Sequence, residues 1–216
     1  MPHDVRIVAG EARLRGALRL PADPRGMVVF AHGSGTTRRD PVNHFVARRL
    51  AHAGFGTLLM DLLEERESHE RHNVFDVAMQ AERLVEVAAW LAREPRTRAL
   101  KLGYFGTGVG TGVALMAAAK APAAVAAIVS RGGRPDTACH RVAEVKAPTL
   151  FIQDERGVEP DWVEAAYRAA TAEKELVYVP SEGHQYREHH ALEALAQHAE
   201  RWFARYLEQR EIKRLP

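Results

Sequence analysis

Cysteine is almost missing from this chain: Cys139 is the only one in 216 residues. No internal disulfide can form, and a reducing, cytoplasmic setting is expected. Long apolar runs are missing too. The longest candidate, Val113 to Ser130, is interrupted by Lys120 and Pro122 and is too broken for a membrane span. The first residues, Met-Pro-His-Asp-Val-Arg-Ile-Val-Ala-Gly, lack the apolar core of a signal peptide. A strong charge of either sign is also lacking. The 30 Lys and Arg against 28 Asp and Glu leave a formal +2, a field too weak to argue for nucleic acid or an anionic membrane. What is present is ordinary globular composition, 46% hydrophobic and 27% charged. One domain over residues 1–216 is expected, its tail fraying from about 208.

Apolar periodicity gives the order of elements. Val5–Val8 and Leu14–Leu20 read as edge strands, and Met27–Ala31 as a short buried strand. Asn43–Ala53 has helical spacing and stops at Gly54. Gly56–Met60 is a strand, and Val74–Ala92 a long amphipathic helix that ends before Pro95. Then come strand Leu100–Phe105, helix Gly110–Ala121, strand Ala123–Ser130, strand Pro148–Ile152, helix Trp162–Ala170, strand Glu175–Val179 and helix Glu188–Leu207. The polar interval 62–73 reads as a surface loop with a few helical turns. Strands alternating with helices predict a mostly parallel sheet covered on both faces.

Ligands of such sheets meet the loops at the carboxyl ends of the strands. The unusual sequences sit there: His32-Gly-Ser-Gly35, Asp61, Gly106–Gly110, Arg131-Gly-Gly-Arg134, Asp154-Glu155 and Ser181-Glu-Gly-His184. The stretch Gly106-Thr-Gly-Val-Gly110 follows an apolar strand and opens an alanine-rich helix. That is the layout of a nucleophile elbow, G-x-S-x-G, in which a sharp strand-to-helix turn holds a serine above the sheet. The serine position is Gly108, which has no side chain with which to attack. Thr107 and Thr111 flank the turn one or more residues out of place.

Taken together, these residues resemble the α/β-hydrolase superfamily, and within it the small dienelactone hydrolase-like group. The resemblance covers nearly the whole chain. It is carried by His32-Gly-Ser-Gly35, Asp61-Leu-Leu, the frame at 106–110, Ser130-Arg-Gly-Gly-Arg-Pro-Asp136, Ala147-Pro-Thr-Leu150 and Gly183-His184. It implies an α/β-hydrolase fold, with a mostly parallel sheet of about eight strands, helices on both faces and no lid domain. It puts His184 in the histidine role and Gly108 where the nucleophile belongs. The acid falls at about Arg156 or Gly157, neither of which is acidic, so Asp154, Glu155 and Glu159 are the candidate carboxylates. The backbone amides of Val109 and of Ser34 or its neighbour form the expected oxyanion hole. His32 and Gly33 shape the loop beside it. Apart from the resemblance, Arg131 and Arg134 end the neighbouring strand and are expected to pair with a phosphate or carboxylate.

Three functional readings follow. The first is non-covalent binding of a small ester- or carboxylate-like ligand in a degenerate site. The second is hydrolysis of small esters or lactones, with His184 activating water as general base. A purely structural or oligomer-forming role is the third. The glycines also invite a reading as an anion site at a helix N-terminus. Their spacing, G-x-G-x-G-x-G, is not the dinucleotide fingerprint, and no acid stands about 20 residues on.

Other residues carry less. His69-Glu-Arg-His72 is one residue short of H-E-x-x-H, and His189-His190 read as surface. Cys139 reads as a packed or idle thiol, and Trp90, Trp162 and Trp202 as core. No metal or cofactor is expected. The expected partner is a small molecule, with neither nucleic acid nor membrane, and a homodimer is compatible with the sequence.

Overall fold

The computed structural model describes residues 2–32, 37–138, 140–155, 160–180 and 189–208. Eight strands form one sheet: β1 (His3–Ala9), β2 (Ala12–Arg19), β3 (Met27–Ala31), β4 (Gly56–Met60), β5 (Leu102–Thr107), β6 (Ala127–Arg131), β7 (Thr149–Asp154) and β8 (Lys174–Val179). Their spatial order is β1-β2-β4-β3-β5-β6-β7-β8. The β1–β2 hairpin and the β2–β4 pair are antiparallel, and every later pair is parallel. The helices are α1 (Pro41–His52), α2 (Arg71–Phe75), α3 (Val77–Arg93), α4 (Val109–Lys120), α5 (Pro160–Ala169) and α6 (His189–Leu207).

The central strands β3 and β4 are buried along their whole length, which is why they are short apolar runs rather than alternating ones. One face of the sheet packs α3, α4 and α5 through residues such as Leu84, Val113 and Val163. The other packs α1 and α6 through Val46, Leu50, Leu195 and Phe203. Helix α4 is buried from Val109 to Ala119, so it is apolar all round and carries no polar stripe. Among the described residues, no helix is long and apolar enough to cross a membrane.

The sequence reading departs from the structure in several places, among them β5, which runs Leu102–Thr107 rather than Leu100–Phe105. Strand β2 is not an edge: its backbone pairs with β4 from Gly16↔Met60 to Arg19↔Thr57. The helix expected from Val74 is broken at Asp76, whose carboxylate accepts from the Met79 N–H at 2.9 Å and starts a new helix at Val77. Strand β6 begins at Ala127 because Pro122 opens a 3-10 turn instead. Strand β7 runs on to Asp154, two residues past the expected end.

Candidate functional site

The parallel strands end in register. Ala31 pairs with Gly106, Thr107 with Arg131, and Arg131 with Ile152, so the loops after β3, β5, β6 and β7 emerge along one edge. At its centre β5 passes into α4 through Gly108, with φ 58° and ψ −129°. That region is strained for any residue with a Cβ and open to glycine. The Gly108 carbonyl accepts from the Thr111 hydroxyl at 2.8 Å and from the Arg134 N–H at 2.9 Å, which ties the turn to its own helix and to the loop after β6. The Thr111 hydroxyl therefore holds the turn closed. Two residues into the helix, a Cβ on Gly110 would lie 2.1 Å from the Ala31 carbonyl oxygen. Only glycine lets α4 approach the end of β3 this closely.

Val109, the first residue of α4, is buried. Asp154 closes β7 and is 6% exposed, whereas the neighbouring Glu155 is exposed and gives its N–H to Val179 at 3.2 Å. Of the two candidate acids described, Asp154 is the one turned inward. Arg131 ends β6 half-buried. The Arg134 guanidinium pairs with both Asp136 oxygens at 2.8 and 2.7 Å and lies 4.1 Å over the Trp162 ring, so its charge is already engaged. Trp162 is not core as expected: it is 40% exposed and serves as the platform for Arg134. Trp202 is buried and Trp90 packs partly buried. His184, Ser34, Gly33, Glu159 and Cys139 lie outside the described residues.

On the other side of β3 the chemistry is carried by side chains. His32 Nε2 stands 3.1 Å from Asp61 Oδ1, and the Arg38 N–H reaches the same oxygen at 2.8 Å. The Arg38 guanidinium bonds Asp61 Oδ2. Burial alone would raise the Asp61 carboxyl. The hydrogen bonds from His32 and from the Arg38 backbone and side chain outweigh it and bring it down to about 2. An ionised carboxylate only accepts, so His32 Nε2 carries the proton in this contact. The sequence reading gave His32 the task of shaping its loop by hydrogen bonding; it missed Asp61 and Arg38 as the partners. The one available signal was an aspartate directly after a buried strand.

This network lies on the wall of a cavity of about 660 Å³. The cavity is bounded by the β1–β2 hairpin, the loop after β3 and the 61–68 segment, and does not reach Gly108, Val109, Asp154, Arg131 or Arg134. Among the described residues, no three His, Cys, Asp or Glu side chains group to hold a metal. His69 lies in a 3-10 turn and His72 in the separate short helix α2.

Residues 14–209 match the model of the dienelactone hydrolase family. The chain is 43% identical to a solved dienelactone hydrolase from Anabaena variabilis ATCC 29413, with a TM-score of 0.92 over 96% of this chain and 99% of that one. Est1E from Butyrivibrio proteoclasticus, at 15% identity and a TM-score of 0.76 over 94% and 98%, shares the fold. A Mycobacterium tuberculosis (strain H37Rv) protein bearing the name "Putative phosphoribosyl transferase" is 44% identical over 205 residues. That match takes in 94% of this chain but 46% of the relative, so the chain spans about half the length of the curated relatives it matches.

Proposed function

The chain belongs to the dienelactone hydrolase family, and from that premise we propose that it binds a small ester- or carboxylate-like ligand without forming a covalent intermediate. The observation that carries this reading is Gly108. It occupies the strained turn between β5 and α4, where an elbow serine would project, and it offers no oxygen or sulfur. The neighbouring backbone is what a binding site retains: the Val109 amide at the start of α4, the loop after β3 and the tied loop after β6. Under this reading the amides of Val109 and Ser34 face a ligand oxygen, and His184 contributes a hydrogen bond rather than a proton shuttle. The name of the Mycobacterium protein describes a chain more than twice as long, and phosphoribosyl transfer is not assigned to this one.

The test is turnover of p-nitrophenyl acetate together with labelling by a fluorophosphonate. The native protein should hydrolyse the ester at background rate and take no label. Gly108→Ser should gain labelling if an acid still orients His184. Rapid native turnover lost in His184→Ala, or label on Ser34 or Cys139, would overturn the proposal.

The second reading, general-base hydrolysis of small esters or lactones, is favoured by one observation. Asp154 is a carboxylate turned inward at the end of β7, which suits it under this reading to orient His184. Native turnover that also falls in Asp154→Asn would select it.

A further inference from the structure

Among the described residues, six arginines and three carboxylates line the cavity beside His32: Arg6, Arg13, Arg15, Arg38, Arg39 and Arg66 against Asp61, Glu64 and Glu65. We propose that this cavity is a binding site for a small phosphorylated molecule, gripped by Arg6, Arg13, Arg15 and Arg39. The inference rests on the cavity alone and is independent of how Gly108 is read.

The hairpin supplies the first argument. Arg6 and Arg15 are direct cross-strand partners, and Arg13 lies two residues from Arg15 on the same face. Like charges placed opposite one another on a sheet destabilise it. The acids of the wall do not relieve this. Asp61 is taken by Arg38 and His32, and Glu64 pairs with Arg66 at 3.0 Å. Glu65 reaches Arg15 only at 3.7 Å, with both side chains mostly exposed. Arg6, Arg13 and Arg39 make no ion pair among the described residues. Three positive charges therefore line one concavity with no ion-pair partner of their own among the described residues.

The second argument is rigidity of the walls. Asp61 fixes the backbone of Arg38, and the Arg39 N–H bonds the Thr37 hydroxyl at 3.1 Å, so the loop presenting Arg39 is held at two points. Opposite it, Arg83 clamps both oxygens of Glu67 at 2.7 Å and the Leu62 carbonyl at 2.9 Å. The Glu64 side chain accepts the Arg13 N–H at 2.9 Å and joins this wall to the hairpin. A site built this way loses little freedom when a ligand enters.

The third argument is the geometry of the ligand. Guanidinium forks match phosphate oxygens in pairs, and a phosphate ester offers three such oxygens and close to two charges. A carboxylate offers two oxygens and one charge, too few for arginines on two strands and a loop. A volume of about 660 Å³ suits a small molecule. A nucleic-acid surface would be an open basic stripe on a strongly basic chain, whereas this chain carries a formal +2.

The experiment is calorimetric titration of the full chain, with melting temperature read in parallel. The probes are pyrophosphate, citrate and a single-stranded oligonucleotide. Pyrophosphate should bind and raise the melting temperature, and rising salt should weaken it. Each arginine lost should cost about tenfold in affinity. Arg13→Gln thus falls about tenfold and the Arg6→Gln/Arg15→Gln double variant about a hundredfold. These side chains are exposed, so both variants should melt near the native temperature. Arg98→Gln, exposed and outside the cavity, should bind as the native chain does. So should Gly108→Ser, which separates this site from the elbow. No native binding at millimolar pyrophosphate, or full binding by the double variant, would overturn the proposal. So would citrate or the oligonucleotide binding as tightly as pyrophosphate.

Discussion

The two sides of β3 have been built in opposite ways. Toward β5 the site is backbone: Gly108 in a turn that favours glycine, Gly110 against Ala31, and a carbonyl held by Thr111 and Arg134. Toward β4 it is side chains: His32, Asp61 and Arg38 in one hydrogen-bonded unit, with arginines beyond it. The contrast separates what the fold demands from what chemistry demands. A tight strand-to-helix turn is needed for packing whether or not anything reacts there. A half-buried aspartate whose carboxyl is lowered to about 2 serves where a charge must stay fixed. The first side keeps its architecture without a nucleophile at Gly108, and the second keeps charged groups at a cost in desolvation.

The largest effect should come from breaking the backbone side. In Gly110→Ala the new methyl would meet the Ala31 oxygen at 2.1 Å and the Ala31 carbon at 2.5 Å, with the His32 carbon at 2.9 Å. All three are backbone atoms and none can rotate away, so α4 must move off β3. Overpacking of this kind costs about 3 kcal/mol or more. Urea denaturation should show that loss. A variant within about 1 kcal/mol of native would mean that the helix has room the packing does not suggest.

The side-chain half should respond less, and in a pH-dependent way. Asp61→Asn keeps one acceptor oxygen but removes the negative charge and turns the other oxygen into a donor facing His32 or Arg38, and should cost about 2 kcal/mol near neutral pH. The sign follows from the lowered carboxyl. Its folded value, about 2, lies below the unfolded one, so its contribution is fully present above about pH 4 and is lost as the pH falls toward 2. Stability measured between those limits should drop more steeply in the native chain than in Asp61→Asn. Parallel curves would mean that Asp61 titrates normally and that the network is decorative.

The same contrast explains what could be read from the sequence. The element order and the turn at Gly108 were legible because both depend on local signals: apolar runs of strand length, a glycine frame and alanine-rich helical spacing. The His32–Asp61–Arg38 unit joins residues 23 to 29 apart in sequence, and no local pattern announces which polar side chains will meet. The break between α2 and α3 was written in Asp76, a strong cap, but the apolar spacing of Val74 and Val77 masked it. Trp162 shares helical spacing with core residues of α5, yet it is 40% exposed and lies under the Arg134 guanidinium from another loop, a contact that spacing does not announce. β7 outran its expected end because Gln153 and Asp154 are polar but buried, and their burial depends on neighbours that periodicity does not see.

The smallest effect sharpens the comparison most, because stability and binding should part company. Glu65 is 80% exposed and reaches Arg15 at 3.7 Å. An exposed pair at that separation is worth about 0.5 kcal/mol or less, so Glu65→Gln should melt within a degree or two of the native chain. The same change removes one of the three carboxylates lining the arginine cavity. It should therefore tighten pyrophosphate about two- to threefold at low salt, since a charge near a partly shielded site shifts binding by under 1 kcal/mol. The gain should disappear at high salt, where the Debye length falls below the spacing of the side chains. A stability loss without a binding gain would place Glu65 among the wall's structural supports, and the cavity's surplus charge would then not be what draws the anion.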